Sequence, residues 1–156
     1  MARYTFHWTF TANGNTYHIY GSKNVRRNHP YGATKPHVQG VVDPYYRINL
    51  LTLNFLDHGM NNEDAFLNDR PAYENEAQNA ANSGKRVFII NCTQGVLRTT
   101  LMSLAIYMRL VGCDINTAVN VFRGTLNGAP DPGDSTLKIT INFNAARANL
   151  ARRIFS

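Results

Sequence analysis

The run Val87-Phe88-Ile89-Ile90-Asn91-Cys92-Thr93-Gln94-Gly95-Val96-Leu97-Arg98-Thr99-Thr100 constrains the fold of this chain more than any other stretch. Val87 to Ile90 is a short apolar segment, half of it β-branched, which fits a strand covered on both faces. Leu101, Leu104, Ala105 and Met108 then recur at helical spacing, so a helix is predicted to start near Arg98. Five residues separate Cys92 from Arg98, and one of them is Gly95. A strand that turns into a helix over so short a loop gathers backbone N–H groups at the positive end of the helix dipole. That arrangement binds a phosphate-like dianion.

The side chains of the loop add chemistry to that geometry. Gly95 permits a backbone conformation that a side chain would resist. The field of the helix terminus, with Arg98 beside it, favours a negatively charged sulfur on Cys92, and the thiolate is the nucleophilic form. Arg98 carries a planar fork that holds two phosphate oxygens at once. Thr99 offers a hydroxyl near the sulfur, placed to donate to it when it leaves a phosphoenzyme.

Cys-x-x-Gly-x-x-Arg-Thr after a buried strand resembles the signature loop of the cysteine-dependent phosphatases, the protein tyrosine and dual-specificity phosphatase superfamily. The resemblance is specific from Cys92 to Thr99 and extends more thinly from Tyr20 to Gly124. It implies that Cys92, Arg98, Thr99 and an upstream aspartate are catalytic. Thr93, Gln94, Gly95, Val96 and Leu97 would form the phosphate-binding loop, with no metal and no other cofactor. Two positions depart from the pattern. The family has His before the cysteine, where it orients the loop and keeps the sulfur ionised, and this chain has Asn91. Leu97 stands where many members have a small residue.

The aspartate is sought upstream. Tyr46 to Leu56 is strongly apolar and reads as strand material, either two short strands or one with an extended tail, ending at Asp57-His58-Gly59. Asp57 lies thirty-five residues before Cys92, a separation similar to the family's. A general acid must hold its proton near the bridging oxygen as substrate arrives, which a nearby dianion favours. Asp57 is the first candidate, and Asp64, beyond a glycine- and asparagine-containing loop, is the second. His58 reads as an exposed loop residue in the first place and as a residue supporting the substrate side of the site in the second.

The rest of the chain frames this unit. Its 156 residues suit a single domain over 1–156. Two cysteines, Cys92 and Cys113, do not make a disulfide framework, and Cys113 reads as a small packed residue. No apolar run reaches a membrane span and no signal peptide is evident, so the expected setting is cytoplasmic. Asn13-Gly14 between two aromatic- and threonine-rich runs predicts a hairpin with a type I′ turn, with Trp8 and Tyr17 as packing residues. Lys23 to Pro44 is loop-rich, with a short helix or strand near Val38 to Val42. Asn62 is predicted to cap a helix that Pro71 interrupts and reopens and that Ser83-Gly84 ends. Gly112 stops the helix after the loop, and Asp114 caps the next one, through Phe122. Gly128 to Asp134 reads as a loop, Leu137 to Ile141 as a strand with helix as the rival, and Phe143 to Ile154 as a helix. His7 and His18 read as packing or surface residues, since no Cys/His cluster has metal-ligand spacing.

Taken together, the expected fold is α/β. A central, mostly parallel sheet is flanked by helices in the dual-specificity phosphatase manner, behind an N-terminal β-hairpin. The expected activity is hydrolysis of a phosphomonoester through a phosphocysteine, on a phosphorylated protein in the first place. The net charge of +6, with small basic clusters at Lys23 to Arg27 and at Arg147, Arg152 and Arg153, also suits RNA or another polyanion, so RNA 5′-phosphate or triphosphate and phosphoinositide substrates stay open. Asn91 leaves open a phosphate-binding module without catalysis.

Overall fold

A computed structural model of the chain describes residues 4–23, 45–126, 128–131 and 134–156. The predicted loop through residue 44, its element near Val38 to Val42 and the basic cluster Lys23 to Arg27 lie outside the described residues, apart from Lys23 itself.

Strands β1 (Tyr4–Ala12) and β2 (Asn15–Lys23) form the predicted hairpin. Asn13 and Gly14 both take positive φ, 54° and 78°, as a type I′ turn requires. Strand β3 (Tyr46–Asn49) is followed by helix α1 (Glu63–Asn82) and strand β4 (Val87–Cys92). The sheet order is β1-β2-β4-β3, with β1 and β2 antiparallel and β4 parallel to both of its neighbours. All six residues of β4 are buried, which explains its continuous apolar run. The fold is therefore α/β, and the described residues form a mixed four-stranded sheet that includes the N-terminal hairpin, together with four helices.

Helix α2 (Leu97–Val111) packs on β1, β2 and β4, and α1, α3 (Ile115–Thr125) and α4 (Ala145–Phe155) pack around it. Phe6, Trp8, Phe10, Ile19, Phe88 and Ile90 of the sheet meet Leu101, Leu104, Tyr107 and Phe122 of the helices in one core. Trp8 stacks on Tyr107 with ring centroids 4.4 Å apart, and Tyr17 is also buried in the core, so both are packing residues, as expected. Tyr4, Tyr20, Val87 and Ile89 form a second, smaller cluster. Gly112, at φ 79°, ends α2 and donates its N–H to Met108, while Asp114 caps α3 by accepting from Thr117 N at 2.8 Å.

Four expectations change. Asn62 precedes α1, but its side chain makes no capping hydrogen bond. Pro71 does not divide α1: Phe66, Tyr73, Ala77 and Ala80 line one buried face across it, and Pro71 itself is exposed. Burial of that face outweighs the backbone hydrogen bond that proline removes. The apolar run after Tyr46 holds only one short strand. Asn49 Oδ1 accepts from Leu51 N and Thr52 N at 3.1 and 3.4 Å, and this Asx turn bends the chain out of the sheet. Finally, the segment read as a loop contains β5 (Pro130–Asp131), paired antiparallel with β6 (Asp134–Lys138). Ile139 and Ile141 lie beyond that ribbon and are buried. Among the described residues, no helix is long and apolar enough to cross a membrane.

Candidate active site

β4 delivers Cys92 at its carboxyl end, between two parallel neighbours, where ligands of α/β sheets commonly bind. The chain then turns through Thr93, Gln94 and Gly95 and enters α2 at Leu97. Gly95 has φ 67°. A Cβ there would lie 2.5 Å from the carbonyl oxygen of Ser22 and 2.9 Å from Lys23 N. Only glycine meets both conditions, the left-handed φ and the contact with the end of β2. A register shift between Tyr4 and Phe6 in β1 brings Thr5 to the same place, where its hydroxyl donates to Gly95 O at 2.5 Å. The bulge thereby aims a side chain at the loop from the sheet edge.

Among the described residues, no acceptor is found for the backbone N–H of Gln94, Gly95 or Val96. Val96 begins α2 without a side-chain cap. The positive end of α2 therefore faces the loop with unpaired donors, which suits an anion.

Cys92 is 2% exposed, and Thr99 Oγ1 donates to its sulfur at 3.0 Å. Arg98 is turned inward: its Nη1 donates to Phe55 O at 2.7 Å and its Nη2 to Thr93 Oγ1 at 3.1 Å. The first bond ties the guanidinium to the segment that carries Asp57. Phe55 is itself held by Tyr73, ring centroids 4.7 Å apart. The buried Tyr73 hydroxyl has no partner among the described residues. Burial, with smaller contributions from Asp69, Cys92 and Asp57 against that of Arg98, raises its pKa and keeps it protonated.

A pocket of about 420 Å³ is lined by Asp57, Gly59, Met60, Cys92, Gln94, Val96, Leu97, Arg98, Asn142 and Arg147. Cys92, Arg98 and Asp57 thus share one cavity, although Asp57 and Cys92 are far apart in sequence. Cys92 is buried as a residue and still reaches that cavity. Asp57 is exposed, and its Oδ1 accepts from Gly59 N at 3.3 Å. Asp64 lies in the first turn of α1 and does not line the pocket. Thr93 does not line the pocket and meets it through Arg98, and Thr99, fully buried, reaches the sulfur from α2.

The chain matches no family model, no curated protein and no solved structure.

The site's other residues come from four directions. His58, read as an exposed loop residue, is half-buried. Its Nε2 lies 2.5 Å from Asp69 Oδ2, and its ring stands edge-on to Phe66. It fastens the Asp57 segment to α1. Asn91 is 1% exposed and bonded to the end of β3: its Nδ2 donates to Asn49 Oδ1 at 3.2 Å, and its Oδ1 accepts from Arg47 Nη2 at 3.0 Å. Asn142 and Arg147 were not expected at the site. Arg147 was legible only as one member of a basic cluster near the C-terminal end, because α4 reaches the pocket through tertiary packing. Asp69 and Phe55 were also missed; the second acts through its carbonyl, which no side-chain pattern signals.

Proposed function

We propose that the protein is a phosphomonoesterase of the cysteine-dependent, dual-specificity phosphatase type. The observation that carries this reading is the common pocket of Cys92, Arg98 and Asp57, which Gln94 and Val96 also line with main-chain N–H groups unpaired among the described residues. The sheet also supports it, since the nucleophile follows a central strand with parallel neighbours on both sides.

In the first step, the Cys92 thiolate attacks phosphorus in line. An S–P bond forms, and the bond from phosphorus to the leaving oxygen breaks. Asp57 gives its proton to that oxygen. The loop amides and the Arg98 guanidinium hold the three equatorial oxygens as charge develops on them. Arg98 is already fixed by Phe55 and Thr93, so little reorganisation is needed. In the second step, water attacks phosphorus and Asp57, now a carboxylate, accepts its proton. The S–P bond breaks with its electrons going to sulfur, and the Thr99 hydroxyl stabilises the departing thiolate.

A second reading, a phosphate-binding module without turnover, draws on Asn91. Its side chain is engaged by Arg47 and Asn49 and does the work of a sheet anchor, where the resembled family uses a histidine to tune the sulfur. Hydrolysis of a small aryl phosphate in chelator-treated buffer separates the two. Turnover that vanishes in Cys92→Ser and slows strongly in Asp57→Asn for poor leaving groups supports the enzyme. Binding of phosphate or vanadate with no turnover supports the module.

A further inference from the structure

We propose that Arg147 binds a second phosphate group on the substrate, so that the preferred substrates carry two phosphates close together. This rests on the phosphatase reading of the Cys92 pocket.

The group under attack is already served by Arg98 and the loop amides. Arg147 comes from a different element, α4, and lines the same pocket together with Asn142. Its main-chain N–H donates to the cap residue Asn144 at 3.0 Å, and its Nη1 donates to Asn142 O at 2.7 Å. The second bond holds the guanidinium against Asn142. A guanidinium has five N–H donors, and the Asn142 carbonyl takes one of them. Among the described residues the other donors of Arg147 have no acceptor, and they suit paired bonds to a phosphate.

Charge and size agree with this. The ionisable side chains that line the pocket are Asp57, Cys92, Arg98 and Arg147. When Asp57 carries the proton it will donate, two guanidinium groups face one thiolate. A single phosphate dianion bound at Arg98 leaves the charge of Arg147 unused. The cavity of about 420 Å³ is in the range that encloses whole small ligands, so it has room beyond one phosphoryl group. Met60, Val96 and Leu97 supply an apolar side to it and place no charge against the second anion. Two chemistries present adjacent phosphates: a phosphoanhydride chain, and neighbouring phosphate esters on one ring.

The test is calorimetric titration of Cys92→Ser protein, which needs no turnover, with inorganic phosphate, pyrophosphate and a vicinal inositol bisphosphate. At least one of the two-phosphate probes should bind more tightly than phosphate. Arg147→Gln in the same background should reduce that preference about tenfold, and Arg147→Lys, which keeps the charge without the fork, should fall between. Loss confined to pyrophosphate assigns the anhydride; loss confined to the bisphosphate assigns the esters. Equal weakening of all three anions by Arg147→Gln, or no preference for two phosphates, overturns the inference while leaving the phosphatase reading intact. Failure of inorganic phosphate itself to bind overturns both.

Discussion

Thr99 donates its hydroxyl to the sulfur of Cys92 across 3.0 Å, from a fully buried position in the first turn of α2. A donor there does little for attack on phosphorus and much for departure of the sulfur. Thr99→Val, which keeps the shape and removes the hydroxyl, should slow breakdown of the phosphoenzyme about 10²-fold. Rapid-mixing assays with an aryl phosphate should then show a burst of phenol followed by a slow steady state. Unchanged steady-state turnover would remove Thr99 from the mechanism.

Gly95 combines positive φ with backbone contact to Ser22. In Gly95→Ala the left-handed conformation alone costs about 1–2 kcal/mol, and the 2.5 Å approach to Ser22 O adds to it. The loop must move or the strand end must yield. Denaturant unfolding should show a loss of at least about 2 kcal/mol, with phosphate affinity lost as well. An alanine variant that keeps both native stability and phosphate affinity would show that the loop does not require this conformation.

His58 and Asp69 hold the Asp57 segment against α1. On the proposed mechanism, removing the tether in His58→Ala or Asp69→Asn should loosen Asp57, the proposed general acid, without touching Cys92. Turnover of alkyl phosphates, whose leaving oxygen needs a proton, should fall about tenfold, while that of activated aryl phosphates changes little. Equal effects on both substrate classes would argue that the pair only supports the fold.

A separate prediction concerns acid stability. On the sheet, His7 Nε2 lies 3.0 Å from His18 Nδ1, and the His7 ring stacks on Tyr20. Burial, with the neighbouring His18 as a smaller cause, lowers the pKa of His7 to about 4. Burial also lowers that of His18. In the unfolded chain both rings titrate near 6.5. Between these values the unfolded state binds more protons than the folded one, so stability is complete above pH 6.5 and falls as pH drops toward 4. His7 contributes on the order of 1–3 kcal/mol to that loss. Urea unfolding at pH 7 and pH 5 should show a smaller difference for His7→Phe than for the unaltered protein. An equal difference would place the acid sensitivity elsewhere.

The local parts of this architecture could be read from the chain because local physics decides them. Asn13-Gly14 demands its turn, β4 shows its double burial as an unbroken apolar run, and Gly112 and Asp114 mark helix ends by φ and by capping. The strand, loop and helix around Cys92 were legible for the same reason. What escaped depends on tertiary contacts. Burial of Phe66 and Tyr73 carried α1 through Pro71, and one Asn49 side chain shortened β3. At the site, Asp57 could be named from its place before the cysteine. Arg147 and the Phe55 carbonyl could not, since nothing local to either residue specifies its neighbour.

The most direct test of the central claim is acid-quenched intact-mass analysis during turnover of an aryl phosphate. A phosphoryl group should appear on the unaltered protein, accumulate further in Thr99→Val, map to the peptide containing Cys92, and be absent from Cys92→Ser. Turnover without a labelled Cys92, or a label that persists in Cys92→Ser, would contradict the assignment of this sulfur as the nucleophile.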